Sequence, residues 1–372
     1  MTNNGIAGLY IHVPFCLSKC PYCDFYSTPD HSLIPLWLKA LEKELVFYQD
    51  RFPSFDTLYL GGGSPSRLSE QQLGSLMEII RSRNYFDHDS EMTIEANPND
   101  LNPAKLKMLG DLGINRISLG VQSFEDQELL FLKRRHTAKA AETALDWIRE
   151  AGFLNLGIDL IYGLPGQTMG HWRANLDKAL AFNPEHLSCY QLTIAKGTLF
   201  WALKEKGRLQ TISEAEEEAF FLTTSDFLQD RGYIHYEISN FAREEDYFSR
   251  HNQKYWQRSP YLGLGPSAHS FQGKQRWWNV RSVNQYCRAL GQGRMPIAGQ
   301  EELTEEQIRL EIITLGLRTR AGLDLGRLGD NLILEKILPR LVESEWATIV
   351  DNHVVPTLKG FLVADRLPLL FC

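Results

Sequence analysis

Cys16, Cys20 and Cys23 stand within eight residues in the spacing C-x3-C-x2-C. Short loops between thiols let a chain wrap one corner of an iron–sulfur cubane, for which thiolates are the usual ligands. Three thiolates for four irons leave one iron with an open position. A zinc site is the alternative. Zinc, however, usually takes four nitrogen or sulfur ligands from paired knuckles, and no second C-x2-C or H-x3-H pair follows nearby. His12 could be a fourth ligand, but it lies in the middle of an apolar run that reads as a strand. Cys189, Cys287 and Cys372 stand alone, so a disulfide framework is not expected.

Other reactive or ligand-binding types lie at the ends of apolar runs. Gly61-Gly62-Gly63-Ser64-Pro65-Ser66 follows one such run and precedes a helical pattern. Glycines let backbone approach a ligand, and a helix start favours a carboxylate; alternatively the triplet is only a tight turn. Glu95 ends a strand before Asn97-Pro98 and could hold an ammonium or a ribose hydroxyl, or be an exposed acid. Gln122 and Asp159 are polar among apolar neighbours; buried, each needs a partner, either structural or a ligand. Arg134 could pair with a carboxylate or lie on a helix surface. His251 opens His-Asn-Gln-Lys-Tyr-Trp, where an imidazole close to aromatics could ligate haem iron or simply pack.

These residues need a scaffold, and the periodicity describes one. Strands are expected at 9–13, 57–60, 92–96, 116–121, 154–162 and 187–192, with amphipathic helices between them, among them one over 36–48 and one capped by Ser69. This alternation implies right-handed βαβ crossovers and a parallel sheet, so the fold class is α/β. Sites in such sheets sit at the carboxyl ends of the strands, where the cysteines, the glycine loop, Glu95, Gln122 and Asp159 fall. Six units would make an incomplete barrel open on one side. After about residue 195 the pattern changes to a charged helix over 213–229, then an aromatic and glycine-rich stretch. The end of the chain combines helices with a small β ribbon, suggesting a satellite of winged-helix type.

The chain has 372 residues, a formal charge of −7 and a pI near 5.9, which argue against broad electrostatic binding of nucleic acid or anionic lipid. Without a signal-like start or an apolar run of about 18–20 residues, a cytoplasmic protein with reduced thiols is expected.

Tyr10-Ile-His-Val-Pro-Phe-Cys16 with Cys20 and Cys23, then GGGSPS, EANP, GVQSF and DLIYGLPGQT in that order, resembles the oxygen-independent coproporphyrinogen III oxidase branch of the radical S-adenosylmethionine (SAM) superfamily. The likeness runs from about Tyr10 to the C-terminus. It implies a partial (β/α)6 radical SAM barrel over residues 1–235, an extension over 236–298 and a C-terminal helical or winged domain over 299–372. It implies a [4Fe–4S] cluster on Cys16, Cys20 and Cys23, whose open iron takes SAM. Tyr10, Gly62 and Glu95 correspond to contacts of that SAM. Tyr22, Gly63, Ser64, Gln122, Arg134 and Asp159 correspond to a second SAM site in the oxidase. The oxidase pattern has a fourth cysteine two residues after the third; here that residue is Phe25.

HNQKYW, with its flanks YEISNF and LGLGPSAHS, is similar to the haem chaperones of the HemW type within this branch and implies His251 as a haem ligand. A haem chaperone would pass haem to haem-dependent proteins such as respiratory enzymes, in the bacterial cytosol and in association with membrane partners, with the cluster serving dimerisation or transfer. The competing reading is an enzyme acting on a tetrapyrrole, such as the oxidase itself. Phe25 and HNQKYW favour the chaperone, and no residue is singled out as catalytic.

Overall fold

Six parallel strands carry the molecule, and their order in space is their order in the chain. The computed structural model describes residues 5–82, 85–328 and 332–371. The strands are β1 (Ala7–Val13), β2 (Ser54–Gly62), β3 (Tyr85–Ala96), β4 (Arg116–Gln122), β5 (Leu156–Tyr162) and β6 (His186–Gln191). Tyr10 lies opposite Tyr59, Tyr59 opposite Thr93, Glu95 opposite Ser118, and Asp159 opposite both Gly120 and Ser188. Helices Ile34–Tyr48, Glu70–Arg81, Pro103–Asp111, Ala138–Glu150 and Met169–Leu180 fill the crossovers. Ser69 caps the second of these in a capping box with Gln72, which supplies partners for two otherwise orphaned backbone N–H groups. The mixed α/β architecture expected from the alternation is therefore present.

Side chains alternate across each strand, and the alternation divides the sheet into two chemically different faces. Leu9, Ile11, Leu58, Leu60, Ile94, Ile117, Leu119, Ile158, Leu160 and Leu187 point one way and are fully buried, with Trp37, Leu41, Leu45, Leu76, Leu106 and Trp172 of the helices in the same core. Burial of each such side chain contributes about 1.5–3 kcal/mol, so this face holds the fold.

The sheet continues past both ends of the parallel set. Beyond β6 come β8 (Asn240–Ala242), antiparallel to β6, and then β7 (Ile234–Glu237), antiparallel to β8. The chain then crosses to the other edge. There β9 (Tyr261–Leu264) pairs parallel with β1, and β10 (His269–Gln272), β11 (Gln275–Asn279) and β12 (Ile297–Glu302) follow as an antiparallel meander. β9 is a seventh parallel strand that periodicity does not reveal. It has four residues, and Gly263 is required because a Cβ there would lie 2.1 Å from the His269 carbonyl oxygen. At the end of the chain, β13 (Leu323–Asp324), β14 (Ala347–Val350) and β15 (His353–Pro356) form a separate antiparallel sheet. Its core includes Ile313, Leu317, Leu341, Val354 and Phe371. No helix among the described residues is long and apolar enough to cross a membrane.

Glu44, fully buried on helix Ile34–Tyr48, ties the first helix to the far strands. It accepts hydrogen bonds from the Gly265 amide at 2.9 Å, Asn279 Nδ2 at 2.6 Å and the Tyr286 hydroxyl at 2.6 Å. Burial nevertheless pushes its carboxyl up to about 7, against those three donors. An unfolded chain ionises the group near 4.5, so between about pH 4.5 and 7 the folded state holds the extra proton and stability falls as pH rises. Glu44→Gln removes this titration. In thermal melts the parent should lose stability relative to E44Q as pH rises through that window; parallel pH profiles would show that the buried carboxyl is ionised throughout.

Candidate functional site

The second face of the parallel strands is polar. Tyr10 and His12 of β1, Thr57 and Tyr59 of β2, Thr93 and Glu95 of β3, Arg116 and Ser118 of β4, Asp159 of β5, and His186, Ser188 and Tyr190 of β6 all occupy alternate positions. Of these, Tyr59, Glu95, Arg116, Ser118, Asp159, His186, Ser188 and Tyr190 line a cavity of about 550 Å³, with the cysteine loop at its mouth. Cys16, Cys20, Cys23, Tyr22, Gly62, Gly63, Ser64, Glu95, Gln122, Arg134 and Asp159 line this cavity, whereas Tyr10 and His251 do not.

Protein contacts pin the cysteine loop at both ends. Phe15 bridges to Thr28, with the Cys16 amide donating to the Thr28 carbonyl at 3.1 Å and the Thr28 amide to Pro14 at 2.7 Å. The Cys23 amide donates to the Cys20 carbonyl at 3.1 Å, closing a tight turn between two thiols. The glycine loop packs directly beneath. Gly63 N–H donates to Val13 O and Ser64 N–H to Phe15 O, and a Cβ on Gly63 would fall 2.7 Å from Val13 O. Ser64 Oγ lies 3.7 Å from Cys16 Sγ. Among the described residues no three His, Cys, Asp or Glu side chains converge as ligands of one ion would. Three thiols on one short loop, at the mouth of a cavity lined with polar groups, suit a cluster that leaves one iron open to a ligand. Burial pushes the Cys16 and Cys23 thiols up, so loading the site with metal must displace protons from them. His12 is engaged at both ring nitrogens, with Nδ1 3.1 Å from the Tyr10 hydroxyl and Nε2 donating to Tyr26 O at 2.8 Å. It is held away from the role of fourth ligand, and burial lowers its pKa to about 4.

Two carboxyls sit on the cavity wall. Glu95 accepts from the Tyr59 hydroxyl at 2.9 Å and from Gly62 N–H at 3.1 Å. Burial, reinforced by nearby Asp159, pushes it up to about 7 despite these donors. Asp159 is also raised by burial, while Ser118 Oγ donates to it at 3.0 Å. Gln122 ends β4 in the left-handed region at φ 68° and lines the cavity. Arg134 Nη2 donates to Gly120 O at 2.7 Å, and Nη1 lies 3.7 Å from Cys20 Sγ. Arg134 Nε and His186 Nδ1 are buried with no hydrogen-bonding partner among the described residues, and both residues line the cavity. Orphaned polar atoms of this kind fit a polar ligand.

His251 lies elsewhere. Gly8, Thr57 and Glu91 share one level near the starts of β1, β2 and β3, at the opposite end from the cysteine loop. The helix Arg250–Trp256 plugs that end. Glu91 accepts from the amides of Arg250 and His251, and Lys254 pairs with Asp56. The His251 ring is 1% exposed, with Nδ1 2.8 Å from Thr57 Oγ1 and Nε2 2.9 Å from the Tyr255 hydroxyl. A haem iron could take neither nitrogen without breaking these bonds, so this closed position does not suit the ligand role the resemblance implies. Tyr10 stacks on Tyr59 at 6.1 Å between this plug and the cavity. From the same helix only Asn252 reaches the cavity.

Sequence reading missed Tyr59, Arg116, Ser118, His186, Ser188, Tyr190 and Asn252 in the lining. The available signal was the strict alternation of polar with apolar residues inside strands that otherwise read as fully buried.

Comparisons with known proteins identify the family and the fold. The model of the radical SAM superfamily matches residues 10–179. The haem chaperone HemW of Bacillus subtilis is 39% identical over 368 residues, 96% of this chain and 97% of that protein. HemW of Mycobacterium tuberculosis is 35% identical over 373 residues, 96% of this chain and 93% of that one. The structure of coproporphyrinogen III oxidase (HemN) from Escherichia coli, described as a radical SAM enzyme, superposes with a TM-score of 0.85 at 25% identity, covering 99% of this chain and 90% of that one.

A Cβ on Gly120 would fall 2.9 Å from Gln122 Nε2 and 3.2 Å from Arg134 Nη2. Gly120→Ala should displace both groups and weaken SAM binding by about tenfold, roughly one lost charge-assisted contact, while iron and sulfide uptake stays normal. Equilibrium dialysis with labelled SAM measures this, and an unchanged affinity would separate Gln122 and Arg134 from SAM.

Proposed function

The chain belongs to the HemW haem-chaperone family of radical SAM proteins, and from that membership we propose that it binds haem and hands it to haem-dependent proteins. Near-complete coverage of chaperone relatives at 35–39% identity is the observation that carries the reading. Respiratory enzymes in or at the membrane are the acceptors proposed, with the chain itself cytoplasmic and able to pair with a second copy.

Cys16, Cys20 and Cys23 would hold a [4Fe–4S] cluster, which supplies single electrons and an open iron for SAM. The glycine loop fixes the cysteine segment at the cavity mouth and places Gly62 against Glu95. Glu95, whose pKa near 7 leaves it able to hold or release a proton at neutral pH, would meet the amino or ribose groups of SAM. Tyr10 braces Tyr59, which donates to Glu95, and so acts on that contact from below. Arg134, Gln122 and Asp159, with Tyr22, Gly63 and Ser64, would receive the remaining polar atoms of SAM or of a second SAM. Phe25, 61% exposed on the cysteine loop, adds apolar surface at the mouth where the oxidase pattern has cysteine.

The same polar cavity supports a second reading, radical conversion of a tetrapyrrole such as coproporphyrinogen III. One anaerobic experiment separates the two: reconstituted protein with SAM, reductant and either haem or coproporphyrinogen III. The expected outcome is tight haem binding with the porphyrinogen untouched. Porphyrinogen turnover with matching release of 5′-deoxyadenosine would establish the enzyme instead. In the same assay Cys20→Ser should bleach the cluster absorbance and abolish SAM binding, and normal iron and sulfide in that variant would refute the cluster ligands.

A further inference from the structure

Two buried donors on the floor of the cavity belong to none of the contacts proposed for SAM. Arg116 begins β4 and His186 begins β6, both on the polar face and nearer the amino ends of the strands than Asp159. Each is 2% exposed, and each lines the cavity. Arg116 Nε and His186 Nδ1 have no hydrogen-bonding partner among the described residues. Glu91 does not supply one. It stands 3.9 Å from Arg116 Nε, beyond hydrogen-bond reach, and its oxygens accept from the amides of Arg250 and His251. Asp159 is bonded to Ser118 and Ser188 instead.

Both groups flank one notch. Gly157 of β5 pairs in register with Ser118 on one side and His186 on the other, and it has the parity of Asp159. An atom placed where this glycine lacks a Cβ would lie 3.5 Å from His186 Nδ1 and 3.7 Å from Arg116 Nη2. The hydrogen-bond network assigns the ring proton. The Ser249 amide donates to the Tyr236 hydroxyl at 3.4 Å, and that hydroxyl lies 2.7 Å from His186 Nε2. Among the described residues Nε2 is the acceptor available to the hydroxyl, so Nδ1 carries the proton and is a donor. Burial, together with Arg116, holds the His186 pKa well below its usual value, so the ring is neutral. From the plug below, Asn252 reaches the same cavity.

Two uncommitted donors, one of them on a permanent cation, are the complement of a carboxylate, whose oxygens only accept and whose charge a guanidinium matches. We propose that the cavity floor binds a carboxylate over Gly157, held by Arg116 and His186, and that this carboxylate belongs to a ligand other than SAM. The guanidinium supplies the charge, the imidazole N–H a second hydrogen bond, and the bare glycine the room. Binding makes no covalent bond and moves no electron. The site is independent of the haem-binding reading, since neither residue touches His251.

The test uses the full chain with its cluster reconstituted anaerobically and ¹³C-labelled acetate as the probe, followed by acetate line width at an ionic strength held constant with chloride. The parent should bind acetate saturably, with a dissociation constant of about 1–10 mM, and equally well with and without saturating SAM. A Cβ on Gly157 would meet only ordinary van der Waals contacts, so Gly157→Ala should match the parent in melting temperature and iron–sulfur content. By filling the notch it should weaken acetate binding by about tenfold or more. His186→Phe, which keeps a flat ring but no donor, should show the same loss. His186→Asn, whose Nδ2 stands in for Nδ1, should restore binding. A parent that binds no acetate saturably overturns the proposal, as does unchanged affinity in both Gly157→Ala and His186→Phe. Displacement of acetate by SAM would assign the floor to the carboxylate of SAM itself and overturn it equally.

Discussion

The side-chain period of two along six parallel strands is the constraint from which the rest of the structure follows. One parity must be dry, because five crossover helices pack against it. The other parity faces inward on a space too wide for the strands' own side chains to fill. Polar groups can occupy that parity only where each finds a partner. Asp159 therefore comes with Ser118 and Ser188, Glu95 with Tyr59 and the Gly62 amide, and Thr57 with His251. Atoms that find no partner, such as Arg134 Nε and His186 Nδ1, mark where the protein's own chemistry is incomplete. Site and fold are thus two parities of the same strands, and a one-residue slip in register would destroy both together.

The two ends of the barrel divide the work. At the carboxyl end, the cysteine and glycine loops lock to each other through backbone bonds. At the amino end, the helix Arg250–Trp256 is inserted as a plug, and Gly8 permits its close approach: a Cβ there would sit 2.7 Å from Lys254 and 3.1 Å from the His251 ring. The HNQKYW segment is therefore understood first as a floor. The rings of His251, Tyr255, Tyr10 and Tyr59 form a tilted and edge-on aromatic cluster leading from that floor to Glu95.

Much of this was legible in the sequence, for physical reasons. Strands of a parallel sheet are apolar runs ended by Gly, Pro or a polar residue, so β1 to β6 and their carboxyl-end residues could be located one by one. Cys16, Cys20 and Cys23 were readable because thiols at that spacing have few other uses. β9 was not, since four residues with an internal glycine carry no period. The cavity floor was not, because Arg116 or Ser188 looks ordinary alone and acquires meaning only beside its neighbours in register. Nor was Glu44: an acid on an amphipathic helix reads as solvated, and its burial depends on residues more than 200 positions away. The burial of His251 was not legible either, because aromatics around a histidine mark a packed interior as readily as a ligand pocket.

The bridge between Phe15 and Thr28 holds the ends of the cysteine loop together without any metal. The entropy of closing that loop is thus lost when the sheet forms, not when iron arrives. The backbone itself therefore spaces the three thiols, and a cluster seated on them would have less chain left to order.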